Sequence, residues 1–275
     1  MISNFELERD LNLMGSLDKV KIPLLFDIKG RQLRITEVHL NPDYLDITLN
    51  HPVSVKTPVV VLLKAGEDYA VLNEVTEGGY RLIFDGGPSM MVRPGESIYV
   101  RDKSVQVGGS QFTDQELEKI RRVSEFGFKR YCLSYVENQR DVDEFLELVG
   151  KDSEVMLKIE NVKGLEYIAR EFKKRPNISL IAARGDLYVE IERPHDIMAA
   201  MRLIIEKDPE ACAGSRLLLS VIDGSVPSCA DFSELAWLYD IGYRKMMLCD
   251  EICLKEQLLT TAVDIFENFR KAYVK

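Results

Sequence analysis

The pattern of apolar and polar positions changes texture twice along the chain. Residues 3–17 read as an amphipathic helix, with Ser3 or Asn4 as its cap and Phe5, Leu11 and Leu13 on its apolar side. Ile22-Pro23-Leu24-Leu25-Phe26-Asp27 is apolar on successive residues and ends on a carboxylate, the pattern of a strand buried on both faces. From about 36 to 111 short alternating runs follow at 44–49, 59–63, 69–75, 80–84, 97–101 and 104–107, divided by turn residues such as Gly78-Gly79 and Asp85-Gly86-Gly87-Pro88. No helical period interrupts them, so this stretch predicts a small all-β domain, a barrel.

From 112 onward strands and helices alternate. Thr113 with Glu116 three residues later predicts a capping box at the start of a helix. Strands are expected at 130–135, 154–159, 178–182, 216–221 and 244–248, and helices at 139–149, 162–174, 195–206, 231–240 and 251–272. With the strand at 22–27, that makes a parallel sheet of about six strands. The expected fold is therefore α/β, an incomplete TIM-type βα barrel formed by 1–35 and 112–275. The all-β domain at 36–111 is inserted into it.

Composition narrows the function classes. The 275 residues are 46% hydrophobic and 29% charged, an ordinary globular balance, and the net charge of −9 argues against nucleic acid as the partner. No apolar run has the length of a membrane span, and the N-terminus lacks a basic head and an apolar signal core. The expected setting is cytoplasmic, with no membrane partner. Cys132, Cys212, Cys229, Cys249 and Cys253 show no close-paired metal spacing and read as reduced thiols.

Chemistry gathers at the strand ends, where βα proteins place their sites. Those ends carry Asp27 with Lys29, Ser134, Lys158 with Glu160, Asp186, Ser220, and Asp250 with Glu251. Lys158 and Glu160 are two apart and share one face of a strand. Buried together they would be costly unless paired or metal-bound. Glu160 and Asp186 lie one βα unit apart, so two carboxylates fall on adjacent strands. Two carboxylates are the usual protein share of a Mg2+ or Mn2+ shell. The competing reading is a buried salt-bridge cluster.

Several of these segments resemble the pyruvate kinase family. They are Leu157-Lys158-Ile159-Glu160-Asn161 with Gly164, Ala183-Arg184-Gly185-Asp186-Leu187, Phe26-Asp27-Ile28-Lys29-Gly30 with Leu33-Arg34, Gln111-Phe112-Thr113-Asp114, Leu133-Ser134-Tyr135-Val136 and Met247-Leu248-Cys249-Asp250-Glu251. The resemblance implies that Glu160 and Asp186 hold a divalent cation and that Lys158 stabilises a phosphoryl group in transfer. It implies that backbone N–H groups around Ala183, Arg184 and Gly185 bind the substrate carboxylate, and that Arg34 faces phosphate. Asp27 and Ser134 would lie near the monovalent-cation or phosphate pocket. Ser220, or Val221 in its stead, would stand near the proton-transfer site. The implied ligand is phosphoenolpyruvate, pyruvate or a related oxoacid.

The departures are equally specific. The family has two further strands before the one at 22–27. The second ends in an Arg-x-Asn-x-Ser stretch without counterpart here, which argues against a monovalent cation. The family's C-terminal domain is also not seen, so the resemblance is to a truncated, divergent member. Arg31-Gln32 replaces the family's Pro-Glu. Three functions follow: a pyruvate-kinase-like phosphoryl transfer to ADP, a metal-dependent oxoacid decarboxylase or lyase without nucleotide, or a non-catalytic binding or regulatory protein that keeps the fold. A six-stranded sheet would also expose its edges, so a homo-oligomer is expected.

Overall fold

The computed structural model describes residues 24–224 and 226–274. The helix expected over 3–17 and the start of the strand expected over 22–27 lie outside the described residues. The first strand, β1, runs Phe26–Ile28. Eight strands of the insert follow: β2 Ile35–His39, β3 Asp46–Leu49, β4 Val53–Ser54, β5 Val59–Leu63, β6 Asp68–Thr76, β7 Arg81–Asp85, β8 Tyr99–Val100 and β9 Gln106–Val107. The chain then alternates α1 Asp114–Glu125, β10 Arg130–Leu133, α2 Gln139–Val149, β11 Glu154–Ile159, α3 Val162–Arg170, β12 Ile178–Ala183, α4 Arg184–Glu190 and α5 Ile197–Lys207. It ends with β13 Cys212–Gly214, α6 Ser220–Asp223, α7 Cys229–Ile241, β14 Lys245–Met247, α8 Asp250–Cys253 and α9 Glu256–Tyr273.

β1 and β10–β14 form one parallel sheet of six strands in the order β1-β10-β11-β12-β13-β14, each βα unit adding the next neighbour. The fold is thus an incomplete βα barrel with an inserted β domain. Alternation along the strands separates two faces. Tyr131, Leu133, Leu157, Ile159, Leu180 and Ala182 pack into the main core with the helices. Cys132, Met156, Ile181, Ala183 and Cys212 form a thin second cluster, and Asp27, the register partner of Cys132, points the same way. Lys158 follows Met156 by two residues and continues that face toward the C-terminal strand ends.

The insert has its own core around Ile35, Ile47, Val61, Leu72 and Leu82. Its main sheet has six antiparallel strands in the order β2-β3-β7-β6-β5-β8. The two edges meet where Arg34 bridges Ser97. Ile35 N donates to Glu96 O at 2.9 Å and Ile98 N to Leu33 O at 3.1 Å, so the sheet closes on itself. β4 and β9 pair separately.

The capping box forms as expected: Thr113 Oγ1 accepts from Glu116 N, and Glu116 Oε2 accepts from Thr113 N at 3.1 Å. The second carboxylate oxygen of Glu116 accepts from Gly30 N at 3.0 Å, and His51 Nε2 donates to Gly30 O at 3.1 Å. Gly30 sits at φ +53°, and a Cβ there would stand 2.8 Å from Ser134 O. The turn that leaves the barrel is therefore locked to the helix by which the chain returns.

One expected strand is misplaced. The 216–221 segment is not a strand; the pairing strand is Cys212–Gly214. Ser215, Arg216 and Leu218 have φ of +57°, +54° and +54°, which strand backbone does not adopt. Leu217 and Leu218 are buried in the core from a loop, so the apolar run marked burial rather than extension. The strand itself is built of small residues because Gly214 packs against Ile181: a Cβ would lie 2.9 Å from Ile181 Cγ2. The expected helix over 251–272 is broken into α8 and α9.

Replacing Thr113 by Ala removes the cap that also steadies the Gly30 turn. Urea denaturation of Thr113→Ala is expected to show a loss of about 1 kcal/mol in unfolding free energy at unchanged m-value.

Candidate functional site

Lys158, near the end of β11, carries the centre of the polar cluster. Its Nζ lies 2.9 Å from Glu160 Oε1, donates to Ser134 Oγ at 2.9 Å, and stands 3.6 Å from Asp27 Oδ1. Ser134 follows β10, and Asp27 lies in β1, which pairs with β10. Three adjacent parallel strands thus deliver their terminal polar groups to one ammonium. Asp27 is also paired with Lys29, so both of its oxygens face lysines.

Glu160 is fully buried. Its Oε2 accepts from Tyr135 N at 2.7 Å. Its Oε1 meets Lys158 in an ionic contact but has no aligned hydrogen bond. Tyr135 adopts φ +50°, a conformation a bulky residue rarely takes, and this turns its N–H onto the carboxylate. Burial pushes Glu160 up to about 7, against the attraction of Lys158 and with the help of the nearby Asp186 charge. Burial likewise opposes the charge on Lys158, but Glu160 and Asp27 outweigh it and hold the amine above the ordinary lysine value. Asp27 is buried against ionisation too, yet Lys158 and Lys29 keep its carboxyl below the usual range.

Asp186 lies in the first turn of α4, one βα unit after Glu160. Its Oδ1 accepts from Tyr99 OH at 2.7 Å and from Gln32 Nε2 at 3.4 Å. Gln32 Oε1 in turn accepts from Arg34 at 2.9 and 2.7 Å, and Arg34 also donates to Gly95 O at 2.5 Å. Arg34 is thus anchored in the insert and reaches Asp186 only through Gln32. A glutamine suits this position because it accepts from arginine on one atom and donates to aspartate on the other.

The Ala183-Arg184-Gly185 segment joins β12 to α4. Gly185 N donates to Ser215 Oγ at 3.0 Å. The Arg184 guanidinium is buried and donates to Ser215 O, Gly214 O and Glu234. Ser220 belongs to α6, not to a strand end: its Oγ donates to Asp231 and accepts from Ser228 N at 2.9 Å. That hydroxyl is engaged in the cap of α7, and the polar residue after the true strand is Ser215. Tyr99, Tyr135, Gln32 and Ser215 were not singled out for a site role from sequence. Only Gln32 carried a signal, as a departure from the Pro-Glu pair.

The cluster fits a divalent cation on two counts. Glu160 Oε1 is a buried carboxylate oxygen without a hydrogen-bond partner, and Asp186 is close enough for its charge to raise the Glu160 carboxyl. Among the described residues no group of three or more His, Cys, Asp or Glu stands in ligating geometry. Two carboxylates completed by water and substrate oxygens is the pattern hard cations such as Mg2+ accept.

No family model matches the chain. The pyruvate kinase of Methanocaldococcus jannaschii is 27% identical over 262 residues, covering 89% of this chain and 56% of that protein. The pyruvate kinase of Dictyostelium discoideum is 25% identical over 256 residues, covering 82% and 50%. Among solved structures, the pyruvate kinase of Pyrobaculum aerophilum superposes with a TM-score of 0.68 at 16% identity, over 95% of this chain and 63% of that one. The Cryptosporidium parvum pyruvate kinase in complex with ADP gives 0.71 at 17% identity, over 90% and 56%. The chain is similar to pyruvate kinases over most of its own length. It spans about half the length of the curated relatives it matches. No helix among the described residues is long and apolar enough to cross a membrane.

The raised Glu160 value gives a pH signature. A carboxyl near 7 in the fold and near 4.5 when unfolded binds more protons folded than unfolded. Its contribution is fully present below about 4.5 and is lost as pH rises through 7. In EDTA, the stability of Glu160→Gln relative to the natural protein is expected to improve between pH 5 and 8 by on the order of 1–3 kcal/mol. Thermal melts across that range read it; a pH-independent difference would contradict the assignment.

Proposed function

We propose that this pyruvate kinase relative binds a divalent cation and an oxoacid, or its enolate or phosphoenol form, at the Lys158 cluster. The observation that carries this reading is the buried Glu160, held by Tyr135 N–H and Lys158, with one oxygen free of hydrogen bonds. Glu160 and Asp186 would hold Mg2+ or Mn2+, which would polarise the oxoacid oxygens and stabilise developing enolate charge.

The rest of the chemistry belongs to the chain's own side chains. Lys158 stays protonated and presents a fixed positive charge that favours an enolate or a phosphoryl group over a neutral ketone. Asp27 and Ser134 orient that ammonium and leave it little rotational freedom. Tyr99 and Gln32 fix the Asp186 carboxylate from the insert side, so a shift of the insert would move Asp186. Ser220, tied into the α7 cap, has no part in this reading.

Phosphoryl transfer to ADP is the full reaction this reading allows, with Lys158 beside the transferred group. The metal-assisted oxoacid reaction without nucleotide uses the same residues. A binding or regulatory role would use them without turnover. We also propose that a second copy of the chain covers the edges of β1 and β14 that no described strand pairs, since unpaired parallel strands are otherwise rare. Light scattering of the purified protein is expected to give at least twice the 31.4 kDa chain mass; a monomer at micromolar concentration would sink that part.

Titration calorimetry is expected to show Mn2+ binding that weakens at least about ten-fold in Glu160→Gln and Asp186→Asn, with oxalate binding only when the metal is present. Absence of Mn2+ and Mg2+ binding by the natural protein would remove the basis of both enzymatic readings. If metal and oxalate bind, pyruvate formation from phosphoenolpyruvate and ADP decides for phosphoryl transfer, and its absence decides against it.

A further inference from the structure

A cavity of about 540 Å3 lies between the insert and the strand ends, apart from the Lys158 cluster. Leu33, Ile98, Val100 and Val107 form its apolar wall on the insert side, and Tyr135 and Val162 face them from the barrel. None of Asp27, Lys158, Glu160 and Asp186 lines it. Its volume falls within the range that accommodates small organic ligands.

The charges around it are unequally satisfied. Each acid that opens into the cavity has a partner in the chain. Asp102 accepts from Ser104 N at 2.7 Å, Glu137 accepts from Asn161 Nδ2 at 2.7 Å, Glu190 accepts from Tyr135 OH at 3.3 Å, and Glu192 lies 3.5 Å from Lys103. The two guanidiniums are fixed at one nitrogen each: Arg31 by Asp141, and Arg101 by Val189 O, which accepts from Nε at 2.8 Å. Neither makes a further side-chain hydrogen bond among the described residues. A guanidinium has five N–H donors, so both forks are oriented with donors to spare.

We propose that this cleft is a second ligand site, which takes an organic anion by its charged group on Arg31 and Arg101 and by its apolar body on Leu33, Ile98, Val100 and Val107. Planar oxyanions, carboxylate or phosphate, match a guanidinium fork in two parallel hydrogen bonds. Glu190 does not oppose the anion. Burial pushes its carboxyl up to about 8, against the Tyr135 hydrogen bond and with the help of Asp186, which favours its uncharged form at neutral pH. Tyr135 is common to both sites: its ring walls the cleft and its backbone N–H holds Glu160.

The test is calorimetry on the full chain in EDTA, where no divalent cation can draw an anion to the Lys158 cluster. The probes are phenyl phosphate and benzoate, set against inorganic phosphate and benzyl alcohol. The aryl anions are expected to bind at about millimolar or better. Inorganic phosphate and benzyl alcohol should each be at least about ten-fold weaker, because each offers only half of the recognition. Arg101→Gln, an exposed position, should weaken phenyl phosphate about ten-fold, whereas Glu160→Gln should leave it within about two-fold. Methyl resonances of Ile98, Val100 and Val107 should shift on addition of phenyl phosphate while those of Leu180 and Leu235 stay in place. No aryl-anion binding, binding indifferent to Arg101→Gln, or binding strengthened more than about two-fold in Glu160→Gln would each overturn the proposal. The last outcome would assign the anion to the Lys158 ammonium, which that substitution frees from a competing carboxylate, and it would leave the metal reading untouched.

Discussion

A carboxylate with no access to solvent constrains this structure more than any other single group. Glu160 cannot shed its charge into water, and an isolated buried charge would cost several kcal/mol. The chain answers with one ion pair and one backbone donor. Lys158 supplies the ion pair from two residues away on the same strand, and Tyr135 supplies the N–H from the next strand over. Each answer imposes a further condition. Lys158 is itself three-quarters or more shielded and needs Asp27 and Ser134; Tyr135 must take a left-handed backbone conformation. The arrangement of three strand ends follows from one acid.

A buried ion pair of this kind is weak evidence for stability, since an apolar replacement of equal volume often holds a fold as well. Under the proposed function, a divalent cation would turn the unpartnered Glu160 oxygen from a cost into a ligand atom. The insert takes part in the same arrangement. Tyr99 and Gln32 hold Asp186 from the insert side, and Arg34 steadies Gln32, so the two carboxylates answer to different parts of the molecule.

Much of the barrel was legible in the sequence because its elements obey local rules. Buried parallel strands such as Ile178–Ala183 are continuous apolar runs, and Thr113 with Glu116 marks a helix start through contacts three residues apart. The strand at Val59–Leu63 fell where the alternation placed it. Ile35–His39 escaped notice because its middle, Thr36-Glu37, is polar and its pairing is bulged. The Leu217-Leu218-Leu219 run misled because burial and extension look alike over a few residues. In the site, Lys158 and Glu160 were readable from a two-residue spacing. Tyr99 and Asp186 are 87 residues apart, and no local pattern announces such a contact; it exists only because the insert folds back over the strand ends.

Among the described residues, the parallel sheet runs from β1 to β14 without those two strands pairing to each other. Its strand ends therefore trace an arc and not a ring, and Asp27 stands on the terminal strand of that arc. In a closed barrel, molecules reach such a cluster only along the axis. Among the described residues, the interval between the arc's two ends is bordered on one side by the strand that carries Asp27, the acid 3.6 Å from Lys158. Whatever fills that interval, whether solvent or polypeptide, bears on Asp27 first and on Lys158 through it.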